Sequence, residues 1–275
     1  MIIIRFAWLS LVLCVMAGAA AADDAKPQPT AKDAPSGVRC IFKMNAILIG
    51  NFDVIAKAAG IGYQNLGYGV DLDKPITRDR KVLEDTPRTL MKKGEVDVWL
   101  TTDAAWAEKP DLKEFGTAGF AGNPSFRLYQ QARFLVEKVE ERDNSKIPDV
   151  QAALDKQRKR LEVRVDAINK EIGKPVVFIV PVGDAIVKLR EMVVDGKFPG
   201  LTKQSELFMS GYKGALHAEK HVNLLTAYCN YAAIYQKSPV GLKLEMKDIT
   251  DEQHAILQKL AWETVSQYPH AGLRK

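Results

Sequence analysis

Short apolar segments alternate with helical patterns along most of this chain. Strands are predicted at 38–42, 63–66, 96–100, 126–130 and 176–180, and helices at 47–59, 86–93 and 184–195. Alternation of this kind is typical of a parallel sheet that is covered by helices on both faces. The sequence therefore predicts an α/β fold, a three-layer α/β/α sandwich built on a parallel sheet.

The segment Val176–Val180 reads Val-Val-Phe-Ile-Val and shows no alternation between apolar and polar residues. A continuous apolar run favours a strand that is buried on both sides over one arm of a surface hairpin. We therefore expect this strand in the centre of the sheet. In sheets of this kind ligands bind beyond the carboxyl ends of the strands.

A long amphipathic helix is predicted at 150–172. Its apolar residues form one stripe: Leu154, Leu161, Val165, Ile168 and Ile172. The spacing is irregular for a heptad repeat, which favours packing on the helix's own domain over a dimerising coiled coil. The coiled coil stays as an alternative, and the oligomeric state is left open.

The last helix has a clear start signal. Thr250 and Gln253 form a capping box, which predicts a helix that extends to about Gln267.

The first residues have the pattern of a secretory signal peptide. Arg5 precedes an apolar run at 6–16, and small residues lead to Ala22. The run is too short to span a bilayer, so we expect cleavage near Ala22 and a secreted or periplasmic protein without a membrane span. Residues 23–37, rich in Pro, Lys, Asp and Ala, predict a flexible linker, and 38–275 predict the folded domain.

Charge and cysteine content limit the partners. The chain has 39 basic and 34 acidic residues, a formal net charge of +5, and this small excess gives no indication of nucleic-acid binding. Cys40 and Cys229 remain after the signal peptide. They could pair in an oxidising compartment, but their predicted positions on a strand and on an apolar helix face favour two separate buried thiols.

Four blocks, in this order and spacing, carry a resemblance to a known superfamily. They are 56–60 (AKAAG), 93–100 (KGEVDVWL), 181–185 (PVGDA) with Leu189 and Arg190, and the tail from His217 through 238–242 (SPVGL). Together they resemble the SGNH (GDSL-like) hydrolases, in particular a group of exported bacterial proteins. The resemblance implies a flavodoxin-like parallel sheet and serine-type ester hydrolysis.

The catalytic positions that the resemblance implies are substituted in this chain. The turn that carries the nucleophilic serine matches Met44-Asn45-Ala46, and Ala46 has no hydroxyl to attack an ester. A second register, Gly50-Asn51-Phe52, also lacks the serine. In the Asp-x-x-His element, Gly214 stands at the aspartate position, while His217, at the start of a predicted helix, remains as the candidate general base.

The oxyanion-stabilising positions are equally altered. Gly67 or Gly69 matches the glycine after the second strand, although an ordinary turn glycine is the alternative reading. The Gly-x-Asn-Asp block is replaced by Thr101-Thr102-Asp103, which has neither the glycine nor the asparagine. Candidate oxyanion or ligand-binding residues are therefore Asn45, Gly67, Gly69, Thr102 and Asp103.

Other chemistry-bearing residues give weaker patterns. Ser210 is close enough in sequence to His217 to serve as a substitute nucleophile. His217 and His221 are four residues apart, but no third ligand completes a metal site, so we predict no metal and no cofactor. The aromatic residues that could stack on a sugar, or simply pack in the core, are Tyr68, Trp99, Trp106 and Phe120.

The sequence supports three hypotheses. The first is a secreted SGNH hydrolase-like protein that lacks standard serine-esterase catalysis and binds a glycan, an acylated ligand or another small molecule. The alternative is an active esterase or acetyl-hydrolase on small esters or acetylated carbohydrate, with His217 as base. The third is an interaction protein that assembles through the helix at 150–172.

Overall fold

The computed structural model describes residues 37–43, 52–69, 71–102, 112–132, 143–210 and 216–273. A seven-stranded sheet has the spatial order β4-β3-β2-β1-β5-β6-β7. Its strands are β1 (Gly37–Lys43), β2 (Gly62–Gly69), β3 (Thr77–Arg78), β4 (Lys81–Val82), β5 (Val98–Thr101), β6 (Arg127–Gln131) and β7 (Val177–Val180). The helices are α1 (Phe52–Ala58), α2 (Pro87–Lys92), α3 (Leu112–Gly122), α4 (Ile147–Ile172), α5 (Val182–Val194), α6 (Lys220–Tyr235) and α7 (Asp251–Ser266).

The sheet is mostly parallel. Strands β2, β1, β5, β6 and β7 pair in parallel, whereas β2 with β3 and β3 with β4 are antiparallel pairs. The prediction of a wholly parallel sheet is therefore wrong at this edge. Strands β3 and β4 have two residues each and are joined by Asp79 and Arg80, both at positive φ, as in a tight two-residue hairpin. Elements this short leave no periodicity in a sequence.

Helices cover both faces of the sheet. Phe42, Leu100 and Tyr129 point to one face and share a core cluster with α1, α5, α6 and α7. The residues immediately before them in the strands, Ile41, Trp99 and Leu128, point to the other face and pack with α2, α3 and α4. This alternation follows from the two-residue side-chain period of a strand, and it makes three layers.

Helix α4 packs on its own domain. Leu161, Val165 and Ile168 lie in the core on the α2–α3 side, while Val150 and Leu154 pack against Val187 of α5. The helix ends at Gly173, which has a φ of 81°. The apolar stripe is therefore buried within the monomer, as its irregular spacing predicts.

Strand β7 is at the end of the sheet, so the expectation that it lies in the centre is wrong. It is nevertheless mostly buried, because α4 and α6 contact it and a 3-10 turn, Pro269–Ala271, packs against it. Gly272 ends that turn at a φ of 73°, and a Cβ on it would lie 2.2 Å from the ring of Phe178. The edge is covered by chain that arrives about 90 residues later, which a local pattern cannot reveal.

Two further predictions concern single contacts. The Thr250 N–H donates to Gln253 Oε1 at 3.0 Å and the Gln253 N–H donates to Thr250 Oγ1 at 3.2 Å, which confirms the capping box of α7. Cys40 and Cys229 are free, buried thiols in the same core cluster, so they do not form a disulfide. Burial raises the pKa of both thiols.

Within the described ranges, no helix has the length and apolar character that would be needed to cross a membrane.

Candidate functional site at the carboxyl edge of the sheet

Polar side chains line the carboxyl edge of the parallel strands. The register places Lys43, Thr101 and Gln130 side by side at the ends of β1, β5 and β6. Thr102 and Gln131 form the next row, and both are at least 98% buried. The order of the strands reverses at β1, because β2 lies on one side of it and β5 on the other. A reversal of this kind is where α/β sheets bind their ligands.

The second row faces α6. Side chains alternate along a strand, and Val180, which pairs with Gln131, belongs to the core on the α6 side. Gln131 Nε2 donates to Asn230 Oδ1 of α6 at 2.9 Å. Two residues earlier in β6, the Tyr129 hydroxyl donates to the carbonyl of Ala233 at 3.0 Å. Helix α6 therefore runs antiparallel to β6, with its N-terminal half extending beyond the end of the strand.

Thr226 lies in that extension, one helical turn before Asn230 and on the same face. Its side chain is fully buried, and its Oγ1 has no hydrogen-bond partner in the described part of the chain. The same holds for Gln131 Oε1. Buried polar atoms without partners are uncommon, and each one indicates a place for an ordered water or a ligand group. We name Thr102, Gln131, Thr226 and Asn230 the edge cluster.

The structure places one predicted site residue, Thr102, in the edge cluster. Asn45, Ala46, Asp103 and Gly214 lie outside the described residues. The segments 44–51 and 103–111, which contain the first three of these, leave β1 and β5, two neighbouring strands.

The two glycines lie elsewhere in β2. Gly67 is inside the strand at a β-bulge, with a φ of 127°, and its N–H donates to Asn65 Oδ1 at 2.8 Å. A Cβ there would lie 2.3 Å from Ile76, which explains the glycine by close approach of β3. Gly69 ends β2 beside Lys43, and a Cβ on it would lie 2.9 Å from Pro87. Both positions therefore have a packing reason for glycine.

His217 and Ser210 lie in a separate hairpin. Strands β8 (Phe208–Ser210) and β9 (Leu216–Ala218) pair so that His217 is opposite Met209 and Ser210 is opposite Leu216. His217 is therefore on a strand, not at the start of a helix as predicted. Its ring is exposed and has no hydrogen-bond partner among the residues that the structure describes. His221 is the second residue of α6, so the two histidines do not share a helix face as a metal pair would.

Of the two readings of the aromatic residues, core packing holds for Trp99. This side chain is fully buried and packs edge-to-face on Phe115, with ring centroids 4.5 Å apart. Tyr68 and Phe120 are half-buried, and Trp106 lies outside the described residues.

Sequence reasoning did not find Gln131, Thr226 and Asn230. Gln131 follows a predicted strand end, which is a usable signal, but its hydrogen-bond partner Asn230 is 99 residues away in a helix whose polar residues have no distinctive spacing. Sequence reasoning considered His221 only as a metal ligand and rejected that role, whereas the structure places His221 in a cavity about two and a half helical turns from Asn230.

Fold and site define an α/β protein with a mostly parallel sheet and a cluster of buried, uncharged polar side chains at the carboxyl edge of that sheet. No known protein family and no curated protein match the sequence. Among solved structures, the crystal structure of a DUF4886 family protein from Bacteroides uniformis ATCC 8492 is similar, with a TM-score of 0.52 and 12% sequence identity. The similarity covers 85% of this chain and 96% of that chain. At this identity the likeness concerns the fold alone.

Proposed function

We propose that this protein is an exported, SGNH hydrolase-like binding protein that lacks standard serine-esterase catalysis and holds a neutral polar ligand, such as a glycan, at the edge cluster. The observation that carries the proposal is a pair of buried atoms at the carboxyl end of β6, Gln131 Oε1 on the last residue of the strand and Thr226 Oγ1 on α6. Neither has a hydrogen-bond partner in the described part of the chain.

The chemistry of the edge cluster favours an uncharged ligand. All four side chains are hydroxyls or amides, groups that can both donate and accept hydrogen bonds. Sugar hydroxyls and N-acetyl groups offer complementary donors and acceptors. A charged ligand would need a counter-charge in a buried place, and the edge cluster supplies none.

Two features support a loss of standard catalysis. Ala46 occupies the position at which the superfamily resemblance implies the nucleophile, and Gly214 occupies that of the orienting aspartate. His217 is exposed and lacks a carboxylate partner within the described ranges. An imidazole that no acid orients is a poor general base for a serine.

Export is the other part of the proposal. The pattern at 1–22 supports it, since a charged residue, a short apolar run and small residues occur in the order of a signal peptide. N-terminal sequencing of the protein recovered from the extracytoplasmic fraction tests it, and a chain that keeps Met1 in the cytoplasm would contradict it.

Isothermal titration of the mature protein with chito-oligosaccharide and cellobiose tests the binding proposal. We expect Thr226→Val to weaken binding by about tenfold, because one ligand hydrogen bond is lost from a buried site. The matched control is Thr264→Val, which changes a buried threonine of α7 outside the edge cluster. Equal effects of the two variants, or no binding of either sugar, would overturn the proposal.

The alternative esterase hypothesis is tested with p-nitrophenyl acetate and acetylated sugars. Under our proposal neither the native protein nor His217→Ala hydrolyses them. Hydrolysis that His217→Ala abolishes would establish an active site and would overturn the assignment as a binding protein.

A further inference from the structure

A cavity of about 600 Å³ lies between the start of α6, the loop before α7 and the segment that follows α5. Its volume is in the range of small-molecule sites. The polar residues that line it are Glu206, Glu219, Lys220, His221, Asp248, Thr250 and Gln253. We name it the His221 cavity. It shares no residue with the edge cluster, so it is a separate site from the proposed glycan site.

His221 is the most buried residue of this lining, with 3% of its surface exposed. Its ring packs edge-to-face on Phe198, with centroids 5.4 Å apart, which fixes its orientation. Its Nε2 is buried and has no hydrogen-bond partner in the described part of the chain. Desolvation is the main cause that lowers the pKa of His221, and Lys220 acts in the same direction, while Gln253 and Glu219 oppose it. The neutral ring has one nitrogen that accepts a hydrogen bond.

Negative charges outnumber positive charges in the lining of the cavity. Glu219 and Asp248 have no ion-pair partner among the described residues, and Lys220 is the cation of the lining. Glu206 accepts hydrogen bonds from the backbone N–H groups of Thr202 and Lys203, both at 2.8 Å. Three carboxylates against one ammonium attract a cation.

The arrangement does not suit a metal ion. In the described ranges no three histidine, cysteine, aspartate or glutamate side chains are close enough together to hold one. A cation of larger size, which spans the cavity and reaches separate groups, fits this lining better.

We propose that the His221 cavity binds a small organic ammonium that also carries hydroxyl groups, of which an amino sugar is the simplest case. The ammonium pairs with Glu219 and Asp248, and a hydroxyl group donates its hydrogen bond to the imidazole of His221. The partly exposed carboxylates give attraction, while the buried imidazole gives selectivity for a ligand that donates hydrogen bonds.

The test compares glucosamine with N-acetylglucosamine, which has the same ring and no positive charge. We expect glucosamine to bind with a Kd of about 1 mM or tighter, to shift the imidazole nitrogen resonances of His221, and to bind more weakly as salt is added. Equal binding of the two sugars at His221, or no binding of glucosamine at concentrations of about 10 mM, would contradict the proposal.

A double variant tests the ion pairs without touching the core. Glu219→Gln with Asp248→Asn removes both unpaired carboxylates, and we expect it to weaken glucosamine binding by about tenfold. Glu252→Gln is the matched control, since this exposed residue of α7 lies outside the cavity, and it should leave binding unchanged. If both variants bind like the native protein, the cavity does not hold the ammonium. Thr226→Val should also leave glucosamine binding intact, which separates this site from the edge cluster.

Discussion

Gln131 Nε2 donates a 2.9 Å hydrogen bond to Asn230 Oδ1 and so joins the carboxyl end of β6 to the middle of α6. Both side chains are at least 99% buried. The bond holds α6 at one position along the direction of β6. As a result, Thr226 lies just past the end of the strand and His221 lies further out at the cavity.

Thr226→Val should raise the stability of the protein although it weakens ligand binding. Its hydroxyl is buried without a partner in the described chain, and valine replaces it with a methyl group of similar size. Removal of an unsatisfied polar group should contribute about 1 kcal/mol to the free energy of unfolding. Urea denaturation measures this change in the free energy of unfolding. A less stable variant would mean that the hydroxyl has a structural partner outside the described residues.

Gln131→Leu should have the opposite effect. It removes the hydrogen bond to Asn230 and puts an apolar side chain beside a buried amide. We expect a loss of about 1–2 kcal/mol in the free energy of unfolding, measured in the same denaturation experiment. A neutral result would show that the bond does not set the position of α6.

We expect Asp97, which precedes β5 at the amino end of the parallel strands, to contribute strongly to the free energy of unfolding. Its carboxylate accepts two hydrogen bonds from the Arg39 guanidinium at 2.8 and 2.9 Å, a third from the Arg39 backbone N–H at 2.9 Å, and a fourth from Asn123 Nδ2 at 2.9 Å. Both partners of the ion pair are less than a third exposed. Asp97→Ala should therefore cost about 2–3 kcal/mol.

Asp73→Ala is the control for the Asp97 variant. Asp73 pairs with Arg88 at 2.6 Å, but its side chain is 65% exposed, so its removal should hardly move the urea midpoint. Equal losses for the two variants would contradict the assignment of Asp97.

Charge placed on α4 should unfold the monomer. Leu161 is 1% exposed, and Leu161→Glu should cost about 3 kcal/mol or more because it buries a carboxylate without a partner. Val163→Glu, on the 63% exposed side of the same helix, should change stability by less than about 0.5 kcal/mol. Circular dichroism with light scattering distinguishes this result from the interaction hypothesis, under which Leu161→Glu gives a folded monomer from a native dimer.

Stability should fall in mild acid because of two buried histidines. Burial lowers the pKa of His221 and, against the smaller influence of Asp251, that of His254 below the ordinary value of about 6.5. The unfolded chain then binds more protons than the folded one. The stabilising contribution is complete above about pH 6.5 and is lost as the pH falls from there through the lower folded-state pKa values.

Paired variants isolate this effect from the titration of carboxylates. His221→Gln with His254→Gln should reduce the difference between urea midpoints at about pH 7.5 and about pH 5.5. His217→Gln, a change at an exposed histidine, should leave that difference as it is. If all the proteins lose stability equally, buried histidines are not the cause.

The sequence by itself determined the main elements, because their signals are local. The five parallel strands, α2, α4, α5 and the capped start of α7 all follow from apolar periodicity or from a capping pair three residues apart. The burial of the α4 stripe within the monomer also followed, since its spacing does not suit a second helix.

Only the tertiary structure decided where those elements end up and what they bring together. Strand β7 looks central in sequence because its apolar run is unbroken, yet it lies at the end of the sheet, where a turn from the C-terminal region contacts it. Gln131 and Asn230 meet across 99 residues, and the His221 cavity joins three distant segments. Periodicity reports whether a side chain is buried, but not which part of the chain buries it, because that depends on the path of the whole backbone.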